Sequence, residues 1–490
     1  MIRFFVQSAY HFIKMNGGLV CMIMQILDAV DSFLYYPVLV IVMAAAGLYF
    51  SIRMGFVQIR MLGEGIHILK TTPADENGAS PFQALMISTA SCVGTGNIIG
   101  VSTAICLGGP GAAFWMTVLA LLGCASSFTE CTLAQVYKRR KPDGSFYGGP
   151  AYYIEGALHN KGLAMTFAVF LLLTYSFGFN LLCSYNVQST FSTYSFYQEG
   201  VTPAIIGVIM AALVAVCIMG GGKRIEKTAG ILVPVMGIAY VVVSLIVLLM
   251  NVTELPHVFG VIFEDAFNFK AIFSGFAGSC LMYGVKRGLY SNEAGVGAAP
   301  NAAAAATVSH PAKQGLVQML SIYIDTIILC NATVLMCLAS GVAPTPELAG
   351  AEWVQASIAS ALGAFGPIFI TAAMILFSFT TLIGNIYYCE NGLAYLNNKK
   401  LPSKKFMNLF RAFAVLVIFV GAIIPMAAAW DVADITMGGM CLINLVACTM
   451  LSDVAVKTYR DYVRQKKAGL DPKFVAAEVG LRNDEVECWK

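Results

Sequence analysis

Apolar runs constrain this chain more than any other feature: repeatedly, about 20 residues pass with scarcely a charge, the length a helix needs to cross bilayer hydrocarbon. Eleven such spans can be drawn, near 34–52, 82–108, 111–136, 163–187, 202–220, 228–250, 269–285, 315–340, 365–394, 406–427 and 432–455. Only 12% of the 490 residues are charged, about half the share of a soluble domain. The chain is therefore read as an all-α polytopic membrane protein. The N-terminal Arg3 and Lys14 introduce no compact apolar run with a cleavage site, so no removed signal peptide is expected. A net charge of +3 does not suggest nucleic acid as a partner. The 14 cysteines contain no CxxC pair and sit mostly inside apolar runs, as small helix residues do, so neither a disulfide framework nor a zinc site is expected.

Charge placement tests the count. Threading the chain through eleven spans puts 27 of the 30 Lys and Arg on one side, leaving Arg3, Lys14 and Lys270 on the other. The positive-inside rule makes the rich side cytoplasmic, with the N-terminus outside and the C-terminus inside. This assignment places Lys286, Arg287 and Lys313 together in one cytoplasmic connection. Residues 1–81 then form a front helix and an interfacial segment, Val57–Leu69, while 82–250 and 251–455 hold five spans each. Residues 456–490 form a cytoplasmic tail. Five helices followed by five must run in opposite senses, which permits an inverted repeat.

Inside the second span stands Val93-Gly94-Thr95-Gly96-Asn97. Each glycine costs a helix about 1 kcal/mol relative to alanine, and backbone groups freed within hydrocarbon find no water. Such a break is tolerated where it lines a polar cavity, and broken helices near the midplane are where secondary transporters hold their solutes. At the matching place in the second half stands Ser274-Gly275-Phe276-Ala277-Gly278-Ser279. Two glycine-interrupted spans in corresponding positions point to a transport site, although close helix packing also uses glycine.

The chain resembles the alanine or glycine:cation symporters, also called sodium:alanine symporters. The motifs that carry the likeness are Gly94-Thr95-Gly96-Asn97-Ile98, Gly108-Gly109-Pro110-Gly111 running to Trp115-Met116, and Tyr147-Gly148-Gly149-Pro150. They continue with Val285 to Gly295, His310-Pro311 with Lys313-Gln314-Gly315, and Asp325-Thr326. The resemblance implies a leucine-transporter-like fold, ten core helices in two inverted repeats of five, with one extra helix in front. It implies sodium-coupled symport of a small neutral amino acid, alanine or glycine, across a plasma membrane by alternating access. It also assigns roles. Backbone amides of Gly94, Thr95 and Gly96 would take the substrate carboxylate, and the Asn97 carbonyl a cation or the substrate ammonium. Gly275, Gly278 and Ser279 would contribute from the second half. A sodium ion would sit between carbonyls at Ala90 and Val93 and the hydroxyls of Thr380 and Thr381; a helix threonine often merely bonds a carbonyl one turn back.

Departures from the family pattern bear on specificity. Thr117 and Asn385 stand where the family usually has tryptophan, which would enlarge the pocket and add an amide. A larger or polar amino acid is therefore a serious alternative; proton coupling and exchange without an ion are separate rivals, and the lack of a titratable group in the expected ligand set favours sodium. The aromatic residues Tyr175, Phe177 and Phe179 suit either a lid over substrate or ordinary packing. Asp325 lies deep in an apolar span, where a carboxylate costs on the order of 3 kcal/mol. It is read either as a coupling site for a cation or proton, or as a tether to Arg287 or Lys286, the tether being the simpler reading. Glu130 and Glu390 are expected to meet interfacial water or basic side chains, and Glu293 to gate the cytoplasmic side with Arg287. No HExxH or GxSxG motif occurs, so no enzymatic activity is expected.

Overall fold

A computed structural model describes residues 17–72, 79–141, 144–274, 279–424, 426–482 and 486–489. Among these, six helices are long and apolar enough to cross a membrane: Ala112–Val136, Lys161–Ser189, Arg224–Met250, Pro311–Ala339, Phe365–Leu396 and Ala429–Met450. The pair Pro81–Cys92 and Thr95–Gly108 makes a seventh span if taken together, bent by 56° where the glycine-rich sequence predicts a break. Shorter apolar helices cover Val40–Arg53 and Thr202–Ile218. The front helix starts earlier than its apolar run suggests, because Gly17–Phe33 continues through a π-helical turn, Leu34–Leu39, into Val40–Arg53. Short helices Val57–Arg60 and Leu62–Thr71 occupy the segment expected at the interface.

The expected span 269–285 differs most. Helix Phe269–Ser274 is described on one side of residues 275–278, and on the other helix Cys280–Asn292 carries Lys286 and Arg287 in its middle rather than in a loop. Their charge hid the helix from a hydropathy reading, and the fold offsets that charge with ion pairs. Lys286 bonds Asp31 of the front helix and lies 3.7 Å from Asp434, while Arg287 lies 3.3 Å from Asp434. The Arg287 guanidinium also sits 3.6 Å from the centre of the Trp430 ring, a favourable cation–π stack.

These two cations lie on the other side of the breaks from the remaining basic clusters. Helix Cys280–Asn292 packs along Ile99–Gly108, with Tyr283 closed against Gly108. At the basic end, Lys138 donates to the Ala306 carbonyl at 3.0 Å and Tyr147 to the Lys399 carbonyl at 3.1 Å. The tail folds back onto this end. Trp489 donates its indole N–H to Gln135 O at 2.8 Å, Glu487 pairs with Arg139 at 3.2 Å, and Asp471 with Lys313 at 2.6 Å. Phe146 and Trp489 flank the Lys138 ammonium at 4.2 and 4.8 Å, and burial pushes that group down to about 7.

Candidate functional site

Helix Pro81–Cys92 begins with a capping box, Ser80 and Gln83 satisfying each other's backbone N–H. It ends at Cys92, because Gly94 takes extended angles and its N–H turns to the Asn97 side-chain carbonyl at 2.8 Å. The Ala90 carbonyl thereby loses its helical donor. The chain then makes one tight turn, Thr95–Asn97, before the helix resumes at Ile99. Neither glycine has room for a side chain: a Cβ on Gly94 would collide with Thr381 Oγ1, and one on Gly96 would lie 3.0 Å from the Tyr290 ring. The break is therefore wedged between helices Phe365–Leu396 and Cys280–Asn292.

Its polar groups are spoken for in a specific pattern. Thr95 Oγ1 accepts from Asn186 at 2.9 Å and meets the Tyr290 hydroxyl at 3.0 Å. The Asn97 carbonyl oxygen of the backbone accepts from Thr333 at 2.7 Å. Since the Asn97 side-chain carbonyl is engaged by Gly94, the expected roles of both groups toward a solute are here spent on each other. The Asn97 amide instead donates to Asp325 Oδ1 at 2.7 Å.

Asp325 is thus part of the break, and the tether reading is overturned. Its carboxylate also accepts from Ser291 at 2.7 Å and Thr326 at 2.8 Å, while Lys286 and Arg287 are committed to Asp31 and Asp434. It stands in a π-helical turn, Tyr323–Cys330; such turns occur often at functional sites because they redirect one residue's side chain. All its partners are N–H or O–H donors, the pattern that suits an ionised carboxylate.

A second break lies at 293–298, and the expected interruption at Ser274–Ser279 falls largely outside the described residues. Helix Cys280–Asn292 stops because Glu293, Gly295 and Gly297 have φ of 53°, 80° and 89°, a left-handed alternation no helix can hold; helix Ala299–Ala303 follows. Gly275 and Gly278 lie outside the described residues. Ser279 caps the start of Cys280–Asn292 by accepting from Met282 N at 3.3 Å, about 20 Å of helix from the break. Glu130 and Asn444 complete the second break. Glu130 accepts from Gly295 N–H at 3.3 Å and from Asn444 at 2.6 Å, and Asn444 donates to Gly295 O at 2.8 Å. Glu130 is fully buried, so the interfacial-water expectation fails for it, whereas Glu390 does pair with a base, Arg411, at 2.6 Å. Glu293 reaches Ser91 and Cys92, not Arg287.

Of the four expected sodium ligands, Thr381 lies against the break and its buried hydroxyl has no hydrogen-bond partner. Thr380 turns away, donating to Phe377 O at 2.9 Å beside Met236. Asn385 does border the break: it accepts from Ser91 at 3.1 Å and donates to Asn180 at 3.1 Å. Thr117 does not; it bonds Ala113 O and Asn331. Tyr175 and Phe179 are buried in ring contact at 5.2 Å, whereas Phe177 points outward. A cavity of about 180 Å³ is lined by Ile99, Tyr185, Asn186, Gln188 and Glu352 among others, and its Asn186 is the residue that donates to Thr95. That is room for about six waters.

Two broken helices wrapped by long apolar ones, with buried polar groups at the breaks, describe a helical membrane transporter. The architecture agrees with a solved one: the crystal structure of MhsT in complex with L-phenylalanine superposes with a TM-score of 0.51 over 81% of this chain and 94% of that one, at 16% identity. The profile of the sodium:alanine symporter family matches residues 20–476, and the chain belongs to that family of amino-acid transporters. Similar proteins include the probable sodium/glutamine symporter GlnT of Bacillus subtilis, 41% identical over 95% of this chain and 96% of GlnT. The amino-acid carrier protein AlsT of the same organism is 40% identical over 94% of this chain and 96% of AlsT. The sodium/alanine symporter AgcS of Methanococcus maripaludis is 37% identical over 90% of this chain and 98% of AgcS.

Proposed function

We propose that the protein is a sodium-coupled symporter of a small neutral amino acid, working by alternating access in a plasma membrane with its basic end cytoplasmic. The observation that carries this reading is the meeting of Asp325, Ser291 and Asn97 at the first break. A buried carboxylate and hydroxyl suit a hard monovalent cation, and the Thr95 and Gly96 amides beside them suit a carboxylate. Thr381 and the Ala90 and Val93 carbonyls supply oxygens for a further ion on the opposite face of the same break. In this reading the two breaks belong to two five-helix halves, 82–250 and 251–455, behind the front helix, which makes eleven spans. One sodium entering down 100 mV contributes roughly 2.3 kcal/mol. A tenfold gradient adds about 1.4 kcal/mol, which together support about 500-fold accumulation.

A second substrate reading is favoured by the Ser91–Asn385–Asn180 chain, whose amides match a carboxamide side chain, and by the name of the 41% identical GlnT. Uptake of labelled alanine, glycine and glutamine into proteoliposomes, with and without a sodium gradient, separates these possibilities. Sodium-driven alanine or glycine uptake is expected; preference for glutamine selects the second reading. Uptake indifferent to sodium, driven by protons or by exchange alone, refutes the coupling.

A further inference from the structure

Asp325 is one buried carboxyl group at the breaks, and two more lie beside it. Glu130 and Glu293 are both buried, and among the described residues neither forms an ion pair with Lys or Arg; Lys286 and Arg287 are taken by Asp31 and Asp434. Glu130 is well provided for, since both its oxygens accept from N–H groups that fix the second break. Glu293 is not. It is the first residue of that break, and its left-handed backbone turns its side chain across to the first broken helix. There it meets Ser91 Oγ at 3.3 Å, the weakly donating Cys92 thiol at 3.5 Å and the Tyr175 hydroxyl, and, among the described residues, no N–H donor.

The surroundings of Glu293 are equally short of partners. Ser88 and Tyr388 are buried and neither hydroxyl makes a close hydrogen bond, while Tyr175 is buried with its hydroxyl interacting with Glu293. The two tyrosine rings meet at 5.2 Å, and both hydroxyls lie within electrostatic reach of the Glu293 carboxylate. Buried polar atoms are paired in the great majority of cases, and an ionised carboxylate without a counter-charge is costly. A carboxylate ringed by idle hydroxyl oxygens is the arrangement an oxygen-coordinated cation would complete.

We propose that Glu293, with Ser88, Ser91 and Tyr388, forms a further site for a monovalent cationic group, separate from those at Asp325 and Thr381 and filled during the transport cycle by a sodium ion or by the substrate ammonium. The proposal rests on the carrier reading but not on Asp325 holding an ion. The experiment compares wild type, E293Q and D325N, purified and reconstituted, in two concentration series. The first is sodium without amino acid, read by thermal unfolding; the second is amino acid at saturating sodium, read by binding. If sodium fills the site, the wild-type sodium response is cooperative, and its Hill coefficient falls by about one in E293Q. If the ammonium fills it, E293Q leaves the sodium series unchanged but weakens amino-acid binding at least tenfold, and the deaminated acid binds wild type and E293Q alike. Wild-type behaviour of E293Q in both series overturns the proposal. Should E293Q fail to fold, S91A and Y388F are expected to weaken the same constant about threefold, and their equality with wild type overturns it equally. A wild type blind to sodium refutes ion coupling while leaving the ammonium arm decisive.

Discussion

Replacing Asp325 by Asn separates the chemistry of the first break from its architecture. Oδ1 receives the Asn97 amide, while Oδ2 receives two hydroxyls, Ser291 and Thr326. An asparagine can keep its oxygen toward Asn97 and present its NH₂ to the hydroxyls, which rotate to accept. The hydrogen-bond count survives, so thermal stability without sodium is expected to shift little. The charge does not survive. A cation about 4 Å from the carboxylate gains about 4 kcal/mol at an effective dielectric constant of 20. At 1.4 kcal/mol per factor of ten, the half-saturating sodium concentration for uptake should rise about a thousandfold. The assay is proteoliposome uptake over a wide sodium range at constant ionic strength. D325N with wild-type sodium dependence and normal stability would show that Asp325 only holds the break together.

Gly94→Ala should cost about 1–3 kcal/mol through overpacking against Thr381, lowering the thermal midpoint and uptake together. Adding Thr381→Ala removes the obstructing hydroxyl and should restore stability without restoring sodium affinity; equal recovery of both contradicts a ligand role for Thr381. Arg287→Ala leaves Asp434 buried with only Lys286 at 3.7 Å, so a loss of about 3 kcal/mol is expected, the low end for a broken buried pair. Arg287→Ala with Asp434→Asn should recover more than half of it in thermal unfolding, and a double variant no better than the single would mean that the stack on Trp430 dominates.

The legibility of this molecule in its sequence followed distance along the chain. The first break was readable because two glycines interrupt an apolar run, a contrast within five residues. The second was not, since it follows Lys286, Arg287 and Asn292, where no apolar background exists to be interrupted, and begins with a left-handed glutamate rather than a glycine. Asp325 was recognisable as anomalous from burial alone, but its partner lies 228 residues away. Nothing local distinguishes Asn97 from Arg287 as that partner. Likewise Thr380 and Thr381 look alike in sequence, and only the rotation of one helix against the break sends one hydroxyl to it and the other to Phe377. Asn385 was found because it departs from a family pattern, and the fold does set it beside Ser91.

The bond between Lys286 and Asp31 changes the standing of the front helix. Read from sequence, that helix is an appendage to a self-contained ten-helix engine. Yet it brings a carboxylate to a cation seated about one turn from the Tyr290 ring that walls the first break. Deleting it would leave the Lys286 ammonium sharing Asp434, at 3.7 Å, with Arg287, two cations on one carboxylate, so the ten-helix core is electrically incomplete without its prefix.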